Sequence, residues 1–90
     1  MSDTIPGAPP EGARVLTLPD GLDLASGKRL ERVDVAYETF GTLDENGANA
    51  VLVCHALSGD SHVTSAGSDR AGWWQPMVGP GLAIDTDHLF

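Results

Sequence analysis

The sequence has a single cysteine, Cys54, so no intrachain disulfide can form and no oxidising compartment is needed. Basic side chains are also scarce, with five Lys and Arg against thirteen Asp and Glu and a formal net charge of -8. There is no stripe of Lys and Arg to track a phosphate backbone or an anionic leaflet, which excludes nucleic acid and membrane surfaces as expected partners. An acidic balance of this kind serves solubility. No apolar run approaches the roughly 18 residues that a membrane-spanning helix needs. The start, MSDTIPGAPPEG, lacks a basic segment followed by an apolar one, as a secretory leader would have. The expected location is the cytoplasm.

Residues 1–12 hold three of the six prolines and two glycines, with Met1 and Ile5 as their large apolar side chains. Such a stretch cannot offset the entropy of ordering, so a disordered tail is expected there, with residues 13–90 forming part of one domain. The run ARVLTL at 13–18 predicts a short strand stopped by the turn residues Pro19, Asp20 and Gly21. A second turn is expected at Ser26 and Gly27. Val33, Val35, Tyr37 and Thr39 alternate with Asp34, Ala36, Glu38 and Phe40, predicting a strand with one apolar face that ends at Gly41. Asp44, Asn46, Gly47 and Asn49 then supply turn chemistry.

The run AVLVC at 50–54 is continuously apolar and bounded by turns, as a strand buried on both faces of a parallel sheet would be. Cys54 is accordingly expected to pack in the core. The next thirty or so residues are rich in Gly and Ser and predict an irregular functional loop, with at most a helical turn at WWQPM before Pro76 and the Gly79-Pro80-Gly81 stop. The last residues, DTDHLF, read as a turn leading into another strand. The fold class is therefore α/β, and a sheet of so few strands leaves open edges that make the 90-residue chain marginal on its own.

His55-Ala56-Leu57-Ser58-Gly59 follows the buried run, at the carboxyl end of a parallel strand, where open α/β sheets bind ligands. Acyl transfer builds negative charge on a carbonyl oxygen, and a fixed backbone N–H stabilises that charge without reorganising. In α/β-hydrolases one such donor comes from the loop after the third strand. On these residues alone, an ordinary glycine-bearing connection between strand and helix is the favoured reading.

The phrases VAYETFGTLDENGANAVLVCHALSGDSHV and GWWQPMVGPGLAIDTDHLF resemble consecutive blocks near the start of the homoserine O-acetyltransferases. The resemblance implies the N-terminal strands and oxyanion loop of an α/β-hydrolase fold, incomplete in this chain. It further implies an enzyme of methionine biosynthesis, in which a serine passes an acetyl group from acetyl-CoA, a co-substrate and not a bound cofactor, to L-homoserine. The nucleophile, Asp and His of that family are expected beyond Phe90, so the 90 residues alone are expected to be inactive. The residue carried over is Leu57, whose backbone N–H matches the family's oxyanion donor, with His55, Gly59 and Asp60 supporting the loop. Many relatives carry Thr where this chain has Ser58. The resemblance also implies a homodimer at full length. Serine O-acyltransferase, homoserine O-succinyltransferase and esterase activities of the same fold are the alternatives, and a non-catalytic binding module or remnant is the third.

Other clusters read as structural. Ser58, Asp60 and His62 have the residue types of a triad, but neighbours in an extended loop point apart. His55, His62 and His88 match no metal-ligand spacing, so no metal is expected. His55 is expected to be packed with one nitrogen satisfied. Trp73 and Trp74 are expected to pack a loop onto the sheet or to line an acyl channel.

Overall fold

The computed structural model describes residues 11–65 and 69–90, so the expected tail lies outside the described residues apart from a turn at Glu11 and Gly12. The chain divides into two units, Met1–Tyr37 and Glu38–Phe90. Among the described residues there are six short strands and no helix.

In the first unit the strands are β1 (Arg14–Leu18), β2 (Leu22–Asp23), β3 (Arg29–Leu30) and β4 (Val33–Tyr37). β1 and β4 pair antiparallel, with Leu16 opposite Val35 and Leu18 opposite Val33, and β2 pairs antiparallel with β3. Period-two alternation puts Leu16, Leu18, Val33 and Val35 on one face, as the sequence predicts. The turn at Gly21 has φ +68 and closes with the Gly21 N–H on Leu18 O at 3.2 Å. A Cβ there would meet the Leu30 carbonyl oxygen at 2.2 Å, so both the backbone angle and the close approach require glycine. On the opposite face Thr17 donates to Asp34 Oδ1 at 2.5 Å. That bond, with Arg32 beside it, holds the Asp34 carboxyl below the usual carboxylate range.

The second unit contains β5 (Val78–Gly79) and β6 (Ile84–Asp85), a two-residue parallel pair. Among the described residues, its buried side chains are His62, Val63, Thr64 and Val78. The segment from His62 to Thr64 is threaded against the turn at 72–77, with Trp73 N–H on His62 O at 3.1 Å and Trp74 N–H on Val63 O at 2.9 Å. Thr64 Oγ1 donates to Val78 O at 2.7 Å, and Gln75 Oε1 accepts from the N–H groups of both Ser65 and Gly72. WWQPM is a turn with Met77 N–H on Trp74 O at 2.9 Å, in keeping with the limit set by Pro76.

The expectation of a doubly buried strand at 50–54 is corrected. These residues form no ladder: Leu52 is 89% exposed, Val51 is also exposed, and so is Cys54. Two backbone bonds engage the start of the run, Val51 N–H to Phe90 O at 2.8 Å and Phe90 N–H to Asn49 O at 3.0 Å. They have the alternation of a single parallel bridge. An apolar run is buried only where strands flank it and layers cover it, and among the described residues it meets one bridging residue.

Asn49 secures this bridge. Its Nδ2 donates to Thr42 O and His88 O, and its Oδ1 accepts from Asp44 N–H. Gly41, with φ +78, lies where a Cβ would come within 2.2 Å of Leu89 O. The turn expected at the chain's last residues is present, with the N–H groups of His88 and Leu89 both on Asp85 O. No helix among the described residues is long and apolar enough to cross a membrane.

Candidate functional site

The HALSG segment forms a tight turn in which Gly59 N–H donates to Ala56 O at 3.0 Å. Leu57 and Ser58 occupy its two central positions, which leaves the Leu57 N–H outside the turn's own bond. Among the described residues, that N–H enters none of the backbone hydrogen bonds of the second unit, and Leu57 is 104% exposed. A backbone donor at an exposed turn tip is open to a ligand oxygen.

Gly59 supports the turn by close approach. A Cβ at this position would lie 2.7 Å from His55 Cβ and 3.3 Å from His55 Cγ, so glycine lets the turn fold back on the His55 ring. His55 Nδ1 lies 2.5 Å from Ala56 O, which satisfies one ring nitrogen. The side chain itself is exposed, correcting the expectation that it is packed.

Asp60 makes three attachments. Its Oδ1 accepts the His62 N–H at 2.8 Å, its Oδ2 lies 3.8 Å from Arg70 Nη1, and its carbonyl accepts from Trp73 Nε1 at 2.8 Å. The first is the loop bond that an Asp two residues ahead of a free N–H commonly makes. Trp73 and Trp74 stack with ring centroids 5.7 Å apart and an interplanar angle of 11°, and both remain partly exposed.

Ser58, Asp60 and His62 do not converge. Instead His62 is 4% exposed, and its ring lies between Glu38 Oε1, 2.9 Å from Nδ1, and Arg70 O, 2.7 Å from Nε2. Ser61 Oγ donates to the other Glu38 oxygen at 2.7 Å. Both ring nitrogens therefore face acceptors, and only the doubly protonated ring donates to both. The bond to Glu38, followed by that to the Arg70 carbonyl, raises the His62 pKa above its ordinary 6.5 against the opposing effect of burial. Sequence reasoning missed Glu38, since strand alternation treats it as one more polar position and its partner lies 24 residues away. The sole local signal was a carboxylate directly after the end of β4 at Tyr37, two residues ahead of Phe40.

Among the described residues, no group of three or more His, Cys, Asp and Glu side chains is arranged to hold a metal ion. The loop's chemistry is that of backbone donors and a buried ion pair.

No family model matches the chain. The homoserine O-acetyltransferase of Clavibacter michiganensis subsp. michiganensis is 52% identical over 84 residues, covering 90% of this chain and 22% of that protein. A homoserine O-succinyltransferase of a Nocardioides species is 49% identical over 73 residues, covering 79% and 20%. Among solved structures, homoserine O-acetyltransferase from Bacillus anthracis superposes with a TM-score of 0.76 at 34% identity, over 87% of this chain and 21% of that one. Esterase E22 gives the same TM-score of 0.76 at 35% identity, over 86% and 22%. Over most of its own length and about a fifth of theirs, this chain is a homologue of the homoserine O-acetyltransferases, and it shares the fold of the α/β-hydrolase-type structures it matches.

Proposed function

We propose that, in a protein of the relatives' length, this segment supplies one backbone donor of an oxyanion hole for transfer of an acetyl group from acetyl-CoA to the hydroxyl of L-homoserine. The observation that carries the reading is the Leu57 N–H, held at an exposed turn tip and absent from the unit's backbone hydrogen bonds among the described residues. The identity to homoserine O-acetyltransferases through this segment supports it. A tetrahedral intermediate would place its oxyanion against this N–H, with a second donor and the acyl-carrying serine supplied from elsewhere in such a protein. His55, Gly59 and Asp60 would shape the loop without touching the reacting atoms. Residues 13–90 would then form part of an α/β-hydrolase domain, working in the cytoplasm as a homodimer without a resident cofactor.

A second reading rests on the comparisons themselves. A homoserine O-succinyltransferase and an esterase match about as well as the acetyltransferases, so succinyl transfer or hydrolysis can use the same donor. The discriminating experiment presents a protein of the relatives' length with acetyl-CoA or succinyl-CoA and with homoserine, serine or water as acceptor, and follows CoA release. Release that depends on acetyl-CoA and homoserine is expected. Release that is equally fast with water would make the esterase reading the correct one.

A further inference from the structure

Glu38 and His62 form the most buried ion pair among the described residues, with side chains 10% and 5% exposed. Nothing in acyl transfer requires a charge pair at this depth, and a buried pair carries a desolvation cost that a hydrophobic pair would avoid. Its geometry suggests what it does. One Glu38 carboxylate oxygen takes the Ser61 hydroxyl and the other takes His62 Nδ1–H, so two consecutive loop residues are tied to a single side chain. His62 Nε2–H reaches Arg70 O, joining the same point to the far side of the loop. Asp60, next in line, is fixed to His62 through its carboxylate and to Trp73 through its carbonyl. The 56–59 turn ends at Gly59, immediately before Asp60, closed by Gly59 N–H on Ala56 O.

We infer that the Glu38–His62 pair is a positioning lock, which sets the direction of the Leu57 N–H by fixing the loop residues on which the 56–59 turn is mounted. The inference rests on the oxyanion reading of Leu57. Neither residue touches the reacting atoms; both act through the loop. The charged groups facing the His62 ring and its loop are Glu38, Arg70 and Asp60, with Arg70 set against Asp60. Deprotonating the ring removes one of its two donors, so the lock loosens as pH rises.

The test compares Glu38→Gln, His62→Gln and Leu57→Pro in a protein of the relatives' length, with acetyl-CoA and homoserine as substrates. Turnover is expressed per serine titrated by a fluorescent phosphonate, so that loss of folded protein does not count as loss of rate. Glu38→Gln and His62→Gln are each expected to lower kcat per titrated site by roughly 10- to 100-fold, the range a small misplacement of a catalytic group causes, with KM for both substrates little changed. In the parent protein, kcat is expected to fall along an alkaline limb, and Glu38→Gln should move that limb to lower pH. A merely structural pair would reduce the titrated fraction but leave kcat per site and the limb in place.

If Leu57→Pro abolishes turnover while both lock variants keep the parent kcat per site, the lock is overturned and the oxyanion reading stands. If Leu57→Pro keeps the parent kcat, the oxyanion reading fails and takes the lock with it.

Discussion

The two units hold their shape by different means. In residues 11–37 the strands satisfy their backbone through a hairpin ladder and tight turns, yet Val15, Leu16, Leu22, Leu30 and Val35 stay exposed and no side chain is buried. Among the described residues of 38–90 the buried side chains are few, and two of the four are polar, His62 and Thr64, each hydrogen-bonded. A two-stranded ribbon has one layer and cannot cover its own apolar face. The loop-rich unit gains its order from side chains that cap backbone groups, and such caps act at specific positions. Substitutions should therefore register sharply in the second unit and weakly in the first.

The largest effect is expected from Glu38→Ala. It removes the acceptor of both the His62 ring and the Ser61 hydroxyl inside the unit, and a loss of about 3 kcal/mol is expected in urea unfolding followed by the fluorescence of Trp73 and Trp74. A loss equal to that of an exposed substitution would show that the pair does not organise the unit. Gly72→Ala should come next. A Cβ there would sit 2.1 Å from Thr64 N and 2.1 Å from Val63 C, so backbone must shift against backbone, at about 2 kcal/mol.

Asn49→Ala removes bonds to Thr42, Asp44 and His88 in a partly exposed setting. About 1 kcal/mol is expected, together with faster amide exchange at Phe90. The smallest effect belongs to the first unit: Leu16→Ala, at a half-exposed position, should change unfolding by no more than about 0.5 kcal/mol. A larger loss would mean that the apolar face of β1 and β4 is covered in solution.

Titration separates the units as well. The raised His62 pKa means that the folded state binds the proton more tightly than the unfolded one. Its stabilising contribution is fully present below about pH 6.5 and is lost as pH rises through the folded value. The lowered Asp34 pKa has the opposite sign, its contribution being present above about pH 3.8 and lost on acidification. Unfolding of the second unit at mildly alkaline pH should therefore be easier than at pH 6, and Glu38→Gln should flatten that difference.

What the sequence made legible follows the same division. The strands at 14–18 and 33–37 and the turns at Gly21, Gly27 and Gly47 rest on alternation and on glycines with positive φ, both of them local properties. The HALSG turn was legible from composition, since small residues and Gly59 suit a sharp loop, although the close approach of Gly59 to His55 was not. Burial of AVLVC was not, because an apolar run is covered by whichever strands and layers surround it, and those are not written in the run. Glu38 and His62 were invisible as a pair: each looks ordinary in its own stretch, and the threading of the loop between Glu38 and Arg70 joins them. Gly72 likewise reads as loop filler until Thr64 is seen passing over it.

The most direct test compares Leu57→Ala with Leu57→Pro in a protein of the relatives' length, with kcat measured for acetyl transfer to homoserine. Alanine keeps the backbone N–H and proline deletes it. Near-parental turnover for Leu57→Ala and a fall of about 100-fold or more for Leu57→Pro are expected, as for removal of one oxyanion donor. Equal turnover in the two variants would contradict the assignment of that N–H to the reaction.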